Sequence, residues 1–401
     1  VFCGVAAAQS KGNQKKIDLS IRFPKNSQIQ VVSELEHEGS VVLAAGADKS
    51  KSKVQSLPLK VSADLAYGQR VTGKNQVVRF FKTAKANIEL AEGSTHPQLS
   101  KTNRLIIARL KNSPYKRVEM ASITETLLQE EHELLQTVAD PLTLESLIAK
   151  DGVAIGDSWK PGDQALAKFL NIDRIKASST KLRLKSVEKG VARVYISGEV
   201  SANQNDVLTE ISLAGYLMID VKNHQVLSLK LSTDEKRPAG QISPGFEGRT
   251  RIDQLFKHGV SVAELSNASL ATAMSSKKVQ QRLKFVSNRG MYQINFDPRW
   301  KLIAGEDESA IMRFIDQGDL LTQCNVVLLP RRAANQPLTL QQYKTEIAKV
   351  IEADDNASVI KAGDVTTATG LKALQVIVSG EEEGLPVNWI YYHVASKDGR
   401  Q

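Results

Sequence analysis

Apolar and polar side chains alternate at every second position along much of this sequence, and that pattern constrains the fold more than any other feature. A β-strand turns successive side chains to opposite faces, so such a run encodes a strand with one face buried. Thr180-Lys181-Leu182-Arg183-Leu184-Lys185-Ser186-Val187 alternates in this way, Glu188-Lys189-Gly190 supplies a turn, and Val191–Val200 runs back. Thr209–Val221 and Val226–Thr233 form a second hairpin through Lys222-Asn223-His224-Gln225, which predicts a four-strand meander. Ile17–Phe23, Val77–Phe81 and Arg104–Leu110 read as further strands, separated by Gly, Asn, Ser and Pro turns. Aromatic residues are only 5% of the chain, so the cores must be built from Val, Leu, Ile and Ala.

Helical spacing interrupts the strands in three places. Ile123, Leu127, Leu128, Leu134, Leu135 and Val138 predict a helix over 121–138, and Asp140-Pro141 separates it from a shorter one over 142–149. Residues 251–282 carry a weaker helical pattern after the breaker-rich segment 236–250. Leu340, Tyr343, Ile347, Val350 and Ile351 lie on one helical face, and Thr339 and Gln342 have capping-box spacing. The expected class is α+β: a strand-rich N-terminal region of antiparallel sheets with helices, then a C-terminal antiparallel sheet covered by a helix. At 401 residues more than one core is expected. The divisions fall at 1–10, at 17–250 with a sub-boundary near 150, at 251–282 as a linker or packing helix, and at 283–401.

The first residues, Val-Phe-Cys-Gly-Val-Ala-Ala-Ala, have the apolar run and small side chains of the end of a secretory signal, with cleavage expected after Ala8. Lipidation at Cys3 is the weaker alternative, because Phe2 is bulky at a position where a small residue is usual. An extracytoplasmic location follows as an expectation, with a lipid anchor as its variant. At the other end, Lys397–Gln401 reads as a turn that a further strand would follow. No run approaches the roughly 20 apolar residues that span a bilayer. Two cysteines, Cys3 and Cys324, exclude a disulfide-dense scaffold and a four-cysteine zinc site.

The formal charge of +9 is diffuse. Residues 1–150 hold 21 Lys and Arg against 15 Asp and Glu, and the remainder is nearly balanced. Neither a dense basic block nor interleaved aromatics accompany the surplus, so nucleic acid is not an expected partner.

Linear signatures of chemistry are broken or missing. His132-Glu133-Leu134-Leu135-Gln136 begins a zinc-protease motif, but Gln136 stands where the second His must be, and His132 and Glu133 read as a solvated helix face. Gly152–Lys160 lacks phosphate-loop spacing, and no Gly-x-Ser-x-Gly elbow occurs. Cys324, within an alternating run, reads as a small buried hydrophobe; as a nucleophile it would need His393 beside it. The acidic runs 306–308, 354–355 and 381–383 do not stagger their oxygens as calcium loops do. No catalytic, metal-ligating or cofactor-binding residue is therefore assigned, and no cofactor is expected. Trp389, Tyr391 and Tyr392 form the dense aromatic cluster of the chain, a candidate binding patch if it is exposed.

In the last region a strand closes in Asp297-Pro298-Arg299-Trp300, a helix follows a Pro/Thr start, and Leu385-Pro386-Val387-Asn388-Trp389-Ile390-Tyr391-Tyr392 reads as part of a terminal hairpin. On these elements the region resembles the PsbP/Mog1/DcrB-like domains. That resemblance implies a non-enzymatic accessory or interaction role and supplies no catalytic residues. The preceding region is at most distantly similar to the half-barrels of bacterial lipoprotein carriers. The expected function is that of an exported, non-enzymatic binding or interaction protein, its partner a protein or an apolar small molecule. A hydrolase assembled only in the tertiary fold, drawing on Cys324, His393 and His132, is the alternative.

Overall fold

The computed structural model describes all residues except 1–14, 44–54, 92, 111–117, 206, 241–242, 276–281, 288, 290, 317–318, 332–337, 352–356, 368–369, 383 and 397–398. The leader-like segment with Cys3 and the acidic pair 354–355 lie outside the described residues. The chain divides into two compact units, Val1–Gly305 with Ile311–Cys324, and Glu306–Ala310 with Asn325–Gln401.

The first unit is dominated by one sheet. Its opening strands are β1 (Gln28–Leu43), β2 (Gln55–Gly73), β3 (Gln76–Leu90), β4 (Gly93–Thr95), β5 (Leu105–Leu110) and β6 (Val118–Ser122). Then come β7 (Leu127–Leu128), α1 (Gln129–Leu135), α2 (Pro141–Leu144), β8 (Ser158–Trp159) and α3 (Asp163–Leu170). The closing strands are β9 (Arg174–Ser178), β10 (Lys181–Glu188), β11 (Val191–Gln204), β12 (Val207–Asp220), β13 (Gln225–Arg237) and β14 (Gly245–His258). The strands join in the order β6-β5-β3-β2-β1-β14-β13-β12-β11-β10-β8, with β4 on β3 and β9 on β11, making thirteen strands. Two antiparallel meanders are thus sewn together by one long-range seam, β1 to β14, which runs from Ile29↔His258 to Val42↔Gly245.

Local chemistry sets the hairpins. Gly73 pairs with Gln76 and Glu188 with Val191, leaving two-residue loops. Asn75 at φ 60°, Lys189 at 51° and Gly190 at 81° supply the left-handed backbone that such tight turns need. At the seam, Gly39 faces Gly248. A Cβ on Gly39 would lie 2.3 Å from the Glu247 carbonyl oxygen, so the strands can approach this closely only with glycine there.

One face of the sheet is buried along a continuous row. Leu65, Ser33, Gln254, Leu229, Leu217, Val194 and Leu184 stand side by side across seven strands, each at most 3% exposed. The helical segment supplies more of the buried apolar surface through Leu144, Leu147, Leu166 and Phe169. It contacts β3 and β5 in the first meander and β9 in the second, so this sheet is curled around it. Fully burying a side chain such as Phe169 contributes about 1.5–3 kcal/mol. On the opposite face, α4 (Asn267–Ser275) and the turn before it cover β3 and β5 through Val262, Leu265, Leu270, Val78 and Ile107.

A buried ion pair ties helices to sheet. The Arg79 guanidinium on β3 donates to both carboxylate oxygens of Asp140 at 2.7 and 2.6 Å and to Gln69 Oε1 at 2.9 Å. Its side chain is 2% exposed. Asp140 also caps α2, accepting from the Leu142 amide at 2.9 Å. Burial works against the Arg79 charge, but the Asp140 carboxylate beside it holds the guanidinium above its ordinary pKa.

Two short sheets complete this part of the chain: β16 (Gln293–Phe296) with β15 (Leu283–Val286) and β7, and β17 (Trp300–Gly305) with β18 (Ser309–Asp316) and β19 (Asp319–Val327). In the second unit α5 (Leu340–Ile351) packs Tyr343 and Ile347 on Val376 and Val378 of β21. That sheet contains β20 (Ser358–Thr366), β21 (Lys372–Glu382) and β22 (Leu385–Val394). Thr339 and Gln342 form the expected capping box, with Thr339 N donating to Gln342 Oε1 at 3.0 Å and Gln342 N to Thr339 Oγ1 at 3.3 Å.

Several expectations are corrected. The α+β class is overturned: strands take up 59% of the described residues and helices 14%, in one large antiparallel sheet with small ones. The helix expected over 121–138 shrinks to α1, because Ile123 joins the outer apolar cluster and Leu127 pairs with Leu283. Ile17–Phe23 makes only one bridge, Ile17 to Val153, although Leu19 and Ile21 are buried. Alternation there records which side chains face the core, not a strand partner. Residues 251–258 belong to β14, and residues 283–305 to the first unit.

Removing Asp140 leaves the Arg79 charge buried and unpaired. Asp140→Ala is expected to lower stability by about 3–5 kcal/mol in urea unfolding, and Arg79→Met with Asp140→Leu to cost clearly less.

Candidate functional site

A groove of about 510 Å³ crosses β1, β14, β13, β12 and β11. Strand register explains its lining, because outward side chains of five strands fall into rows. One row reads Glu38, Arg249, Asp234, Ser212 and Glu199. The next reads Ser40, Glu247, Lys236, Glu210 and Ser201. With Glu36, Glu235 and Arg251, seven carboxylates meet three cations, a formal excess of four negative charges on a chain of net +9.

The charges are unevenly paired. Arg249 grips Asp234 with two bonds, Nε at 2.8 Å and Nη2 at 3.1 Å, and stays above its ordinary pKa through that contact. Lys236 and Glu247 are 3.9 Å apart. Glu199 accepts from the Ser212 hydroxyl at 2.6 Å and Glu210 from Ser201 at 2.8 Å. Glu36 and Glu38 are exposed and have no ion-pair partner among the described residues. The groove can therefore accept hydrogen bonds and positive charge along its length. Its sequence signal was present: acidic residues at 34, 36 and 38 share one face of β1. Charge counted by regions of the chain, without face, conceals it.

A second cleft of about 450 Å³ lies between residues 22–29, Gln225 and residues 258–261. Beside it Arg70, 7% exposed, donates to the carbonyl of Leu265 at 2.7 Å, to Asn26 Oδ1 at 3.1 Å and to Asn267 Oδ1.

The aromatic residues expected as a patch are separated by the strand pleat. Trp389 and Tyr391 pack toward the α5 core, whereas Tyr392 points away, 55% exposed, with Gln375 Nε2 donating to its hydroxyl at 2.7 Å. His132, expected on a solvated face, is 6% exposed, while Glu133 is exposed. His132 Nε2 meets Gln136 Nε2 at 3.2 Å. His393 Nε2 meets Gln401 Oε1 at 3.0 Å, His224 meets Ser20, and His258 meets the Val226 carbonyl at 2.6 Å. Among the described residues no group of three His, Cys, Asp or Glu is placed to hold a metal ion. No described helix is long and apolar enough to cross a membrane.

Cys324 on β19 is partly covered, and burial pushes its thiol above the ordinary range. Iodoacetamide near neutral pH is expected to label Cys324 at least about tenfold more slowly in the native protein than in urea, as read by peptide mapping.

No protein-family model matches the chain, and no curated protein matches it. Among solved structures it is similar to one described as lipid-protein interactions in lipovitellin, at 6% identity and a TM-score of 0.32. That match covers 60% of this chain and 26% of the lipovitellin chain, so the chain spans about a quarter of that protein's length.

Proposed function

We propose that this chain is a binding protein whose acidic groove takes a cationic, extended segment of a partner protein. The observation that carries the reading is the pair of cross-strand rows that set carboxylates from five strands along one groove, with Glu36 and Glu38 in no salt bridge among the described residues. An extended segment would lie across the five strands, and its Lys or Arg side chains would meet the carboxylates that form no salt bridge. Such recognition is steered by charge and weakens with salt. The resemblance of the last region to PsbP/Mog1/DcrB-like interaction domains belongs to the same reading, supported by α5 lying on β20–β22.

Carriage of an apolar ligand is the second form of the reading. It would need the curled face of the large sheet, where Phe169, Leu166 and Leu144 are already at most 1% exposed. The apolar ligand would then have to displace the helical segment.

Fluorescence anisotropy with a labelled Lys-rich peptide tests the proposal. Binding is expected at low salt, at least about tenfold weaker for Glu36→Gln with Glu38→Gln, and absent for an acidic peptide of equal length. Equal binding by protein and variant would overturn it. Native mass spectrometry that finds a stoichiometric co-purified lipid would replace it with the carrier.

A further inference from the structure

We infer that His37 makes the upper end of the β1–β14 seam a pH-sensitive joint that opens on acidification. His37 lies on the buried face of β1, 4% exposed, with its ring 4.4 Å from that of Phe246 on β14. Its Nδ1 is 2.9 Å from Thr250 Oγ1, also on β14. Its Nε2 is buried and has no hydrogen-bond partner among the described residues. The neutral ring fits this place as an aromatic packing group that spans the seam. An imidazolium carries N–H on both nitrogens, so the second proton would point at nothing.

The surrounding charges offer no remedy while the seam is closed. On β13, Arg237 stands over Phe246 at 5.6 Å and is paired with Glu235 at 3.6 Å, so the cation nearest across the ring already holds that carboxylate. On β2 the facing residue is Val61, with Lys60 and Ser62 turned to the other face. On β14, Arg249 and Arg251 likewise point to the groove. Along β1, Glu36 and Glu38 also line the groove, on the opposite side of the strand. Among the described residues no carboxylate bonds the His37 ring while the seam is closed, and its second N–H gains a partner, water included, when this end of β1 leaves β14.

The sign follows from where the proton binds. Burial holds the closed-state imidazole below its ordinary value, against a smaller opposing pull from Glu38. The open state titrates near the ordinary value of about 6.5, so it gains population as pH falls through that value, by up to about tenfold per pH unit. Opening ends when pH drops below the closed-state value, where both states bind the proton.

Hydrogen exchange of the full chain, corrected for intrinsic rates, tests this between about pH 7.5 and about pH 5. Amides of residues 36–42 and 245–251 are expected to lose about tenfold or more of their protection, while the β10–β11 hairpin keeps its own. His37→Gln and His37→Phe are expected to abolish the loss, and Glu235→Gln to retain it. Retention of the loss in a folded His37 variant, its disappearance in Glu235→Gln, or an equal loss in the β10–β11 hairpin would each overturn the inference. If neither His37 variant folds, an NMR titration of the wild-type imidazole decides. Protonation coincident with seam exposure supports the joint, and protonation with the seam still protected refutes it.

Discussion

The pairing of β1 with β14 is the constraint on which the large sheet depends. Every other neighbouring pair along its path joins strands close in sequence, so each meander can form from local hairpins. The seam joins residues more than two hundred positions apart and turns two meanders into one thirteen-stranded surface. Closing so long a loop costs conformational entropy, though only slowly increasing with length. The return comes from fourteen residue pairs and a buried face whose rows continue across the join, from Leu65 and Ser33 to Gln254 and Leu229.

Filling the curled face is the second requirement, and a polar bond fixes it. The helical segment leaves the sheet at β6 and re-enters at β8, the two ends of the strand order. Its apolar side chains could slide on an aliphatic surface built from similar Val, Leu and Ile groups. The Arg79–Asp140 pair admits one position, because a bidentate bond fixes both the angle and the distance of the partners. Burying those charges is costly, so the pair contributes more to uniqueness of docking than to net stability.

Sequence conveyed the parts governed by short-range rules. The β10–β13 meander and the Thr339–Gln342 capping box are present as residue types and spacing alone dictate. Two kinds of feature escaped. Apolar spacing near Ile123 and Leu127 fits a helix, but tertiary partners on Val78 and Leu283 pull those residues into other structures. The acidic groove escaped for a related reason. Its carboxylates come from residues 36 to 247 and become neighbours only through cross-strand register, which no local window contains. The aromatic cluster of Trp389, Tyr391 and Tyr392 was visible, and the pleat of β22 divided it.

The strand order also bears on biosynthesis. β1 leaves a ribosome well before its partner β14, which begins about two hundred residues later. At about 5–20 residues per second, that interval lasts roughly 10–40 seconds. For that time one side of β1 presents unsatisfied amides and carbonyls, a template for pairing with another nascent chain. The charged residues at 34, 36 and 38 suit this exposure, because repulsion between copies of Glu34, Glu36 and Glu38 discourages β1 from pairing with itself.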